Sequence, residues 1–145
     1  MSPMQWDSNM LDFAGLNWLA ILVATLAAFA LGYVWYGPVF GKAWLDALGK
    51  TEEDIQPSPT PFVVSFVAAL ATCIVVAALL KGLGMAGVGD GAVLGLVTGV
   101  AFIAASMASD TAFCGWGWKL WAIQSGYRVA YSVIMGAILG AWPPG

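Results

Sequence analysis

Residues 17–36 read NWLAILVATLAAFALGYVWY, twenty positions without a single charged side chain. A helix rises about 1.5 Å per residue, so a stretch of roughly 20 apolar residues matches the ~30 Å hydrocarbon slab of a bilayer. Trp18 and Trp35 sit near its two ends, separated by about 25 Å of helix. Indole rings favour the headgroup level, where the ring is half buried and its N–H stays wet. The stretch therefore reads as a transmembrane helix rather than a core helix of a soluble domain. Working outward, the same logic applies to residues 62–81, 91–109 and 120–142, the last framed by Trp121 and Trp142. The expected fold is all-α and integral to the membrane: one domain over 1–145, four spans in an antiparallel bundle.

Composition supports this. The chain is 61% hydrophobic and only 9% charged, whereas a soluble domain carries about 25% charged residues. The mean hydropathy is +0.85. A net charge of -3 argues against nucleic acid as a partner, because phosphate binding needs clustered Lys and Arg. Histidine is absent and Arg128 is the only arginine, which removes the commonest metal ligand and general base. No metal site, cofactor site or catalytic constellation is expected, and the chain reads as a non-enzyme. Gly82, Gly84 and Gly87 match a dinucleotide fingerprint in spacing alone, since no strand precedes them. Cys73 and Cys114 fall at different depths and are expected to be free thiols. Residues 1–16 carry Asp7 and Asp12 but neither Lys nor Arg, so no cleavable leader is expected and the first span stays in the mature protein.

Between the first two spans, residues 39–49 place Ala43, Trp44, Ala47 and Leu48 on one helical face. Lys42, Asp46 and Lys50 recur on the other. That pattern predicts a short amphipathic helix lying at the interface, starting after Pro38 and stopped by Gly49. Thr51 with Asp54 predicts a capped turn. Lys42, Lys50 and Lys119 outnumber Lys81 across the membrane. The positive-inside rule then puts both termini outside, in a cytoplasmic membrane of bacterial type. Trp18, Trp35, Trp44, Trp121 and Trp142 are the expected interfacial anchors.

Helices in lipid associate through close packing and hydrogen bonds, because lipid tails are as apolar as leucine. Small residues recur at four-residue spacing at Ala24, Ala28 and Gly32, at Gly91, Gly95 and Gly99, and at Gly136 and Gly140. These stripes serve either packing within one bundle or contact with another copy or another protein. At membrane depth the polar cluster Asp110, Gln124, Tyr127, Arg128 and Tyr131 stands out, since polar groups are costly there. An Asp110–Arg128 ion pair is expected. The alternative is that Arg128 snorkels to a lipid phosphate. Ser106, Ser109 and Thr111 are expected to hydrogen-bond between helices.

The opening run Asn17–Ala24, the closing Gly32-Tyr33-Val34-Trp35-Tyr36-Gly37-Pro38 and Phe40-Gly41-Lys42-Ala43-Trp44 resemble the start of domain of unknown function 1761. The run from Gly126-Tyr127-Arg128 to Gly136–Trp142 is similar to that family's close. The resemblance implies a small four-span membrane protein and carries over no catalytic residue. The functional expectation is a non-enzymatic packing or accessory component of the lipid bilayer that forms a homo-oligomer or joins a larger membrane complex. The alternative is a small transporter or channel component that uses Arg128.

Overall fold

The computed structural model describes residues 11–142 and is helical throughout. Helix α1 (Trp18–Val34) runs on through a π turn (Trp35–Val39) into the short α2 (Gly41–Leu48). A single 3-10 turn (Glu52–Asp54) precedes α3 (Thr60–Gly82). Helix α4 (Val88–Thr98), a π turn (Gly99–Ala104) and α5 (Ala105–Cys114) form one continuous rod, and α6 (Trp118–Ala141) closes the fold. Three of these rods, Trp18–Val39, Thr60–Gly82 and Val88–Cys114, are long and apolar enough to cross a membrane. The fourth apolar stretch forms the 24-residue α6, which is less apolar because Gln124, Ser125, Arg128 and Ser132 lie along it.

Position explains that composition. Helix α6 packs against α1, α3 and α4, and Tyr131, Ser132, Met135 and Leu139 are buried in its contacts. The outer faces are apolar instead, with Leu19, Leu26, Phe62, Val67 and Phe102 all more than half exposed. In water such an area would drive aggregation, so this polarity, apolar outside and mixed inside, points to a membrane location.

Local signals explain the helix ends. Asn17 caps α1, its Oδ1 accepting from the Ala20 N–H at 3.0 Å, while its Nδ2 donates to the Trp142 carbonyl at 3.2 Å. One side chain thus joins the start of α1 to the end of α6. Gly49 stops α2 at φ 71, a left-handed conformation that glycine adopts without steric cost. The Thr51 N–H and hydroxyl both donate to Asp54 Oδ2, at 2.9 and 3.1 Å, forming the expected capped turn.

Two features differ from the sequence expectation. Pro38 does not begin a separate helix. It lies inside the π turn, where the Phe40 N–H reaches five residues back to the Trp35 carbonyl at 2.8 Å. The wider turn accommodates a residue that has no N–H to give. The third span is also longer than 91–109: the rod runs from Val88 to Cys114 and passes through the second π turn, where the Ala105 N–H bonds to Val100.

Cys73 is buried and Cys114 exposed, and both are free thiols. Two ion pairs tie the ends. Lys81 meets Asp12 at 3.5 Å near the start of α1, and Lys119 meets Asp46 at 2.8 Å, joining α2 to α6. The hydrogen bond and charge of Lys119 hold the Asp46 carboxyl below its ordinary range. The backbone and hydroxyl hydrogen bonds from Thr51 do the same for Asp54.

Candidate functional site

The glycine stripes find each other. A Cβ on Gly91 would lie 1.8 Å from the Gly136 carbonyl oxygen, and one on Gly136 would lie 1.9 Å from that of Gly91. Gly95 faces the Ser132 carbonyl at 2.0 Å, and Gly140 faces that of Gly87 at 2.1 Å. At these distances no side chain fits, so α4 and α6 touch backbone to backbone. The α-hydrogens lying in those directions point at carbonyl oxygens, forming Cα–H···O contacts each worth about 0.5–1 kcal/mol. The Gly87 N–H adds a conventional hydrogen bond to the Gly140 carbonyl at 2.9 Å. Gly99 meets Val129 and Ser132. The stripe Gly91, Gly95 and Gly99 and the pair Gly136 and Gly140 are therefore covered within the chain.

The third stripe joins other helices. Ala24 and Ala28 are fully buried in a core with Ala69, Cys73 and Ala77. Gly32 makes room for Tyr127, whose hydroxyl would sit 3.0 Å from a Cβ there. That hydroxyl donates to the Ala28 carbonyl at 2.8 Å.

Around Tyr127 an aromatic cluster joins the end of α1, α2 and the middle of α6. The ring of Tyr127 lies 5.3 Å from Tyr36 and 5.0 Å from Tyr131, both edge-on, and Tyr36 lies 5.1 Å from Trp44. Trp35 packs at a tilt against Phe40, centroids 4.7 Å apart, and donates its indole N–H to the Ile123 carbonyl at 2.9 Å. Trp121 does the same to Ala104, at 2.9 Å. Thus Trp35 and Trp121, expected as headgroup anchors, are turned inward and bridge helices, and Trp44 is half-buried against Tyr36. Trp18 and Trp142 remain exposed at the opposite end.

The expected Asp110–Arg128 pair does not form: the ion pairs among the described residues are the two lysine pairs above. The two side chains diverge. Arg128 is half-buried along α6, one position from Tyr127. Asp110 instead lines a cleft of about 100 Å³ with Met107, Thr111, Trp116, Leu120, Trp121 and Gln124. A second, smaller cleft lies at the other end, against Leu16, Lys81 and Trp142. Arg128 lines neither.

The hydroxyls also behave differently from expectation. Thr111 donates to Met107 at 2.8 Å and Ser106 to Phe102 at 2.7 Å, each four residues back in its own helix. Thr25, Ser125 and Ser132 repeat that pattern. A hydroxyl one turn beyond a carbonyl reaches it without leaving the helix, and so has little capacity left for a neighbouring helix.

The class defined so far is a small all-helical chain with three membrane-length apolar rods gathered around a more polar helix. The chain belongs to the family described as protein of unknown function (DUF1761), whose model matches residues 19–140. No curated protein and no solved structure matches it.

Proposed function

We propose that this chain is a non-enzymatic structural or accessory component of a membrane, crossing it four times, with α6 as the fourth crossing and α2 lying at one interface. In this reading it sits in a bacterial cytoplasmic membrane with both termini outside. It associates with another copy or with a larger membrane complex. The observation that carries the reading is the backbone-to-backbone closure of α4 on α6. A bundle whose central contact admits not even a methyl group is suited to rigidity rather than to passing a solute. The local hydroxyl hydrogen bonds and the position of Arg128 outside both clefts support it further, and weigh against a transport path along Arg128.

Because the glycine stripes are consumed internally, association falls to other surfaces. The first turns of α3 are suited to this, since Phe62, Val63, Val64 and Val67 all point outward. Extraction from native membrane in mild detergent, followed by mass measurement of the intact assembly, tests the reading. It expects a defined oligomer or a stoichiometric protein partner. A strict monomer with neither would refute it.

A further inference from the structure

We propose that the cleft between α5 and the start of α6 is a binding site for a small alkylammonium group, such as an ethanolamine headgroup or a free amine of the same kind. Its lining combines one carboxylate, Asp110, with the indoles of Trp116 and Trp121 and the amide of Gln124. Aromatic faces and a carboxylate together form the arrangement that attracts an organic cation, through the ring quadrupole and through charge. Among the described residues no lysine or arginine pairs with Asp110. Lys119, the nearest lysine in sequence, is committed to Asp46 at 2.8 Å, and Arg128 lines a different part of α6.

The other polar groups leave Asp110 available. The Thr111 hydroxyl is spent on Met107. The Trp121 ring is fixed by its hydrogen bond to Ala104 and by a T-shaped contact with Trp118 at 5.7 Å. A fixed ring presents its face without an ordering cost when a ligand arrives. The space of about 100 Å³ far exceeds the ~10–15 Å³ that one water needs. Trp116, which lines the cleft and is more than half exposed, marks the mouth as a wet–apolar boundary, where lipid amines reside.

That the mouth lies at headgroup level rests on the four-crossing reading above, whereas the chemistry of the cleft does not. Two arms keep these apart. In the first, the full-length protein is placed in bilayers of mixed phosphatidylethanolamine and phosphatidylglycerol and its retained lipids are counted by native mass spectrometry. In the second, the protein in detergent is titrated with ethanolammonium chloride and followed by tryptophan fluorescence. Preferential retention of phosphatidylethanolamine identifies the headgroup as ligand, and a saturable fluorescence change identifies free amine. Either result supports the site, provided that Asp110→Asn weakens it about tenfold and Trp116→Ala several-fold, while Arg128→Gln leaves it within twofold. The Asp110 and Trp116 side chains are exposed, so those two variants should keep the wild-type melting temperature. The site is overturned if Asp110→Asn binds as wild type does, if Arg128→Gln loses binding equally, or if neither arm distinguishes an amine from phosphatidylglycerol.

Discussion

Replacing Gly91 by alanine should cost this protein its central helix contact. The added Cβ would lie 1.8 Å from the Gly136 oxygen and 2.6 Å from its carbonyl carbon. Backbone cannot swing aside as a side chain can, so α4 and α6 must part by about 1.5 Å at that level to restore ordinary contact. Parting them also breaks the reciprocal contact at Gly136 and stretches the Gly87–Gly140 hydrogen bond. Overpacking of this kind typically costs about 1–3 kcal/mol, and the weakened Cα–H···O contacts add about 1 kcal/mol. Alanine's better helix propensity returns at most about 1 kcal/mol. The expected net loss is about 2 kcal/mol. Gly89 is the internal control. It lies in the same helix, but a Cβ there meets nothing within 4 Å, so Gly89→Ala should be neutral or slightly stabilising. Unfolding in mixed micelles of rising denaturing-detergent fraction, followed by circular dichroism, measures both variants. Equal stability of Gly91→Ala and Gly89→Ala would refute the backbone-contact argument.

Tyr127→Phe removes the hydrogen bond to Ala28 and should destabilise by about 1 kcal/mol in the same assay. Gly32→Ala, which pushes on that hydroxyl, should be non-additive with it. Trp35→Phe keeps an aromatic ring against Phe40 but loses the bond to Ile123, with an expected cost of about 1 kcal/mol, read as a lower midpoint. The pH response follows from Asp46, whose folded-state pKa is depressed by Lys119. Its contribution is present above the ordinary Asp value of about 3.9 and is lost as pH falls through the lower folded-state value. The protection of the α2 amides, taken as exchange relative to the intrinsic rate at each pH, should therefore fall below about pH 4, and in Asp46→Asn it should already be reduced at neutral pH. An unchanged α2 in both conditions would contradict the Lys119–Asp46 clamp.

Much of the fold can be read from particular residues. The uncharged run 17–36 and the run 62–81 mark α1 and α3 to within a few positions, because length and hydropathy suffice where lipid sets the rule. Asn17, Gly49, Thr51 and Asp54 cap or stop their elements as their chemistry dictates. Spacing along a helix also shows that Gly91, Gly95 and Gly99 share one face. It does not show what lies opposite, which is why their meeting with Gly136 and Gly140 emerges only in three dimensions. The same limit applies to Trp35 and Trp121. Their sequence positions set their height along the helix but not their azimuth, and both turn inward to carbonyls. The π turns left no compositional mark apart from Pro38, since alanine, valine and phenylalanine fit either register. Asp110 and Arg128 looked like partners because they share a level. Asp110 opens onto the cleft between α5 and α6, which Arg128 does not line.

The central claim is that lipid surrounds these rods and that α6, despite its polar residues, crosses with them. Single-cysteine variants in sealed, oriented vesicles test it with an impermeant thiol reagent. Native Cys114, just before α6, is compared with Ala141→Cys at the far end of that helix, each with the remaining cysteines replaced. The account predicts that the two positions react from opposite faces of the membrane. Labelling of both from the same face would contradict it.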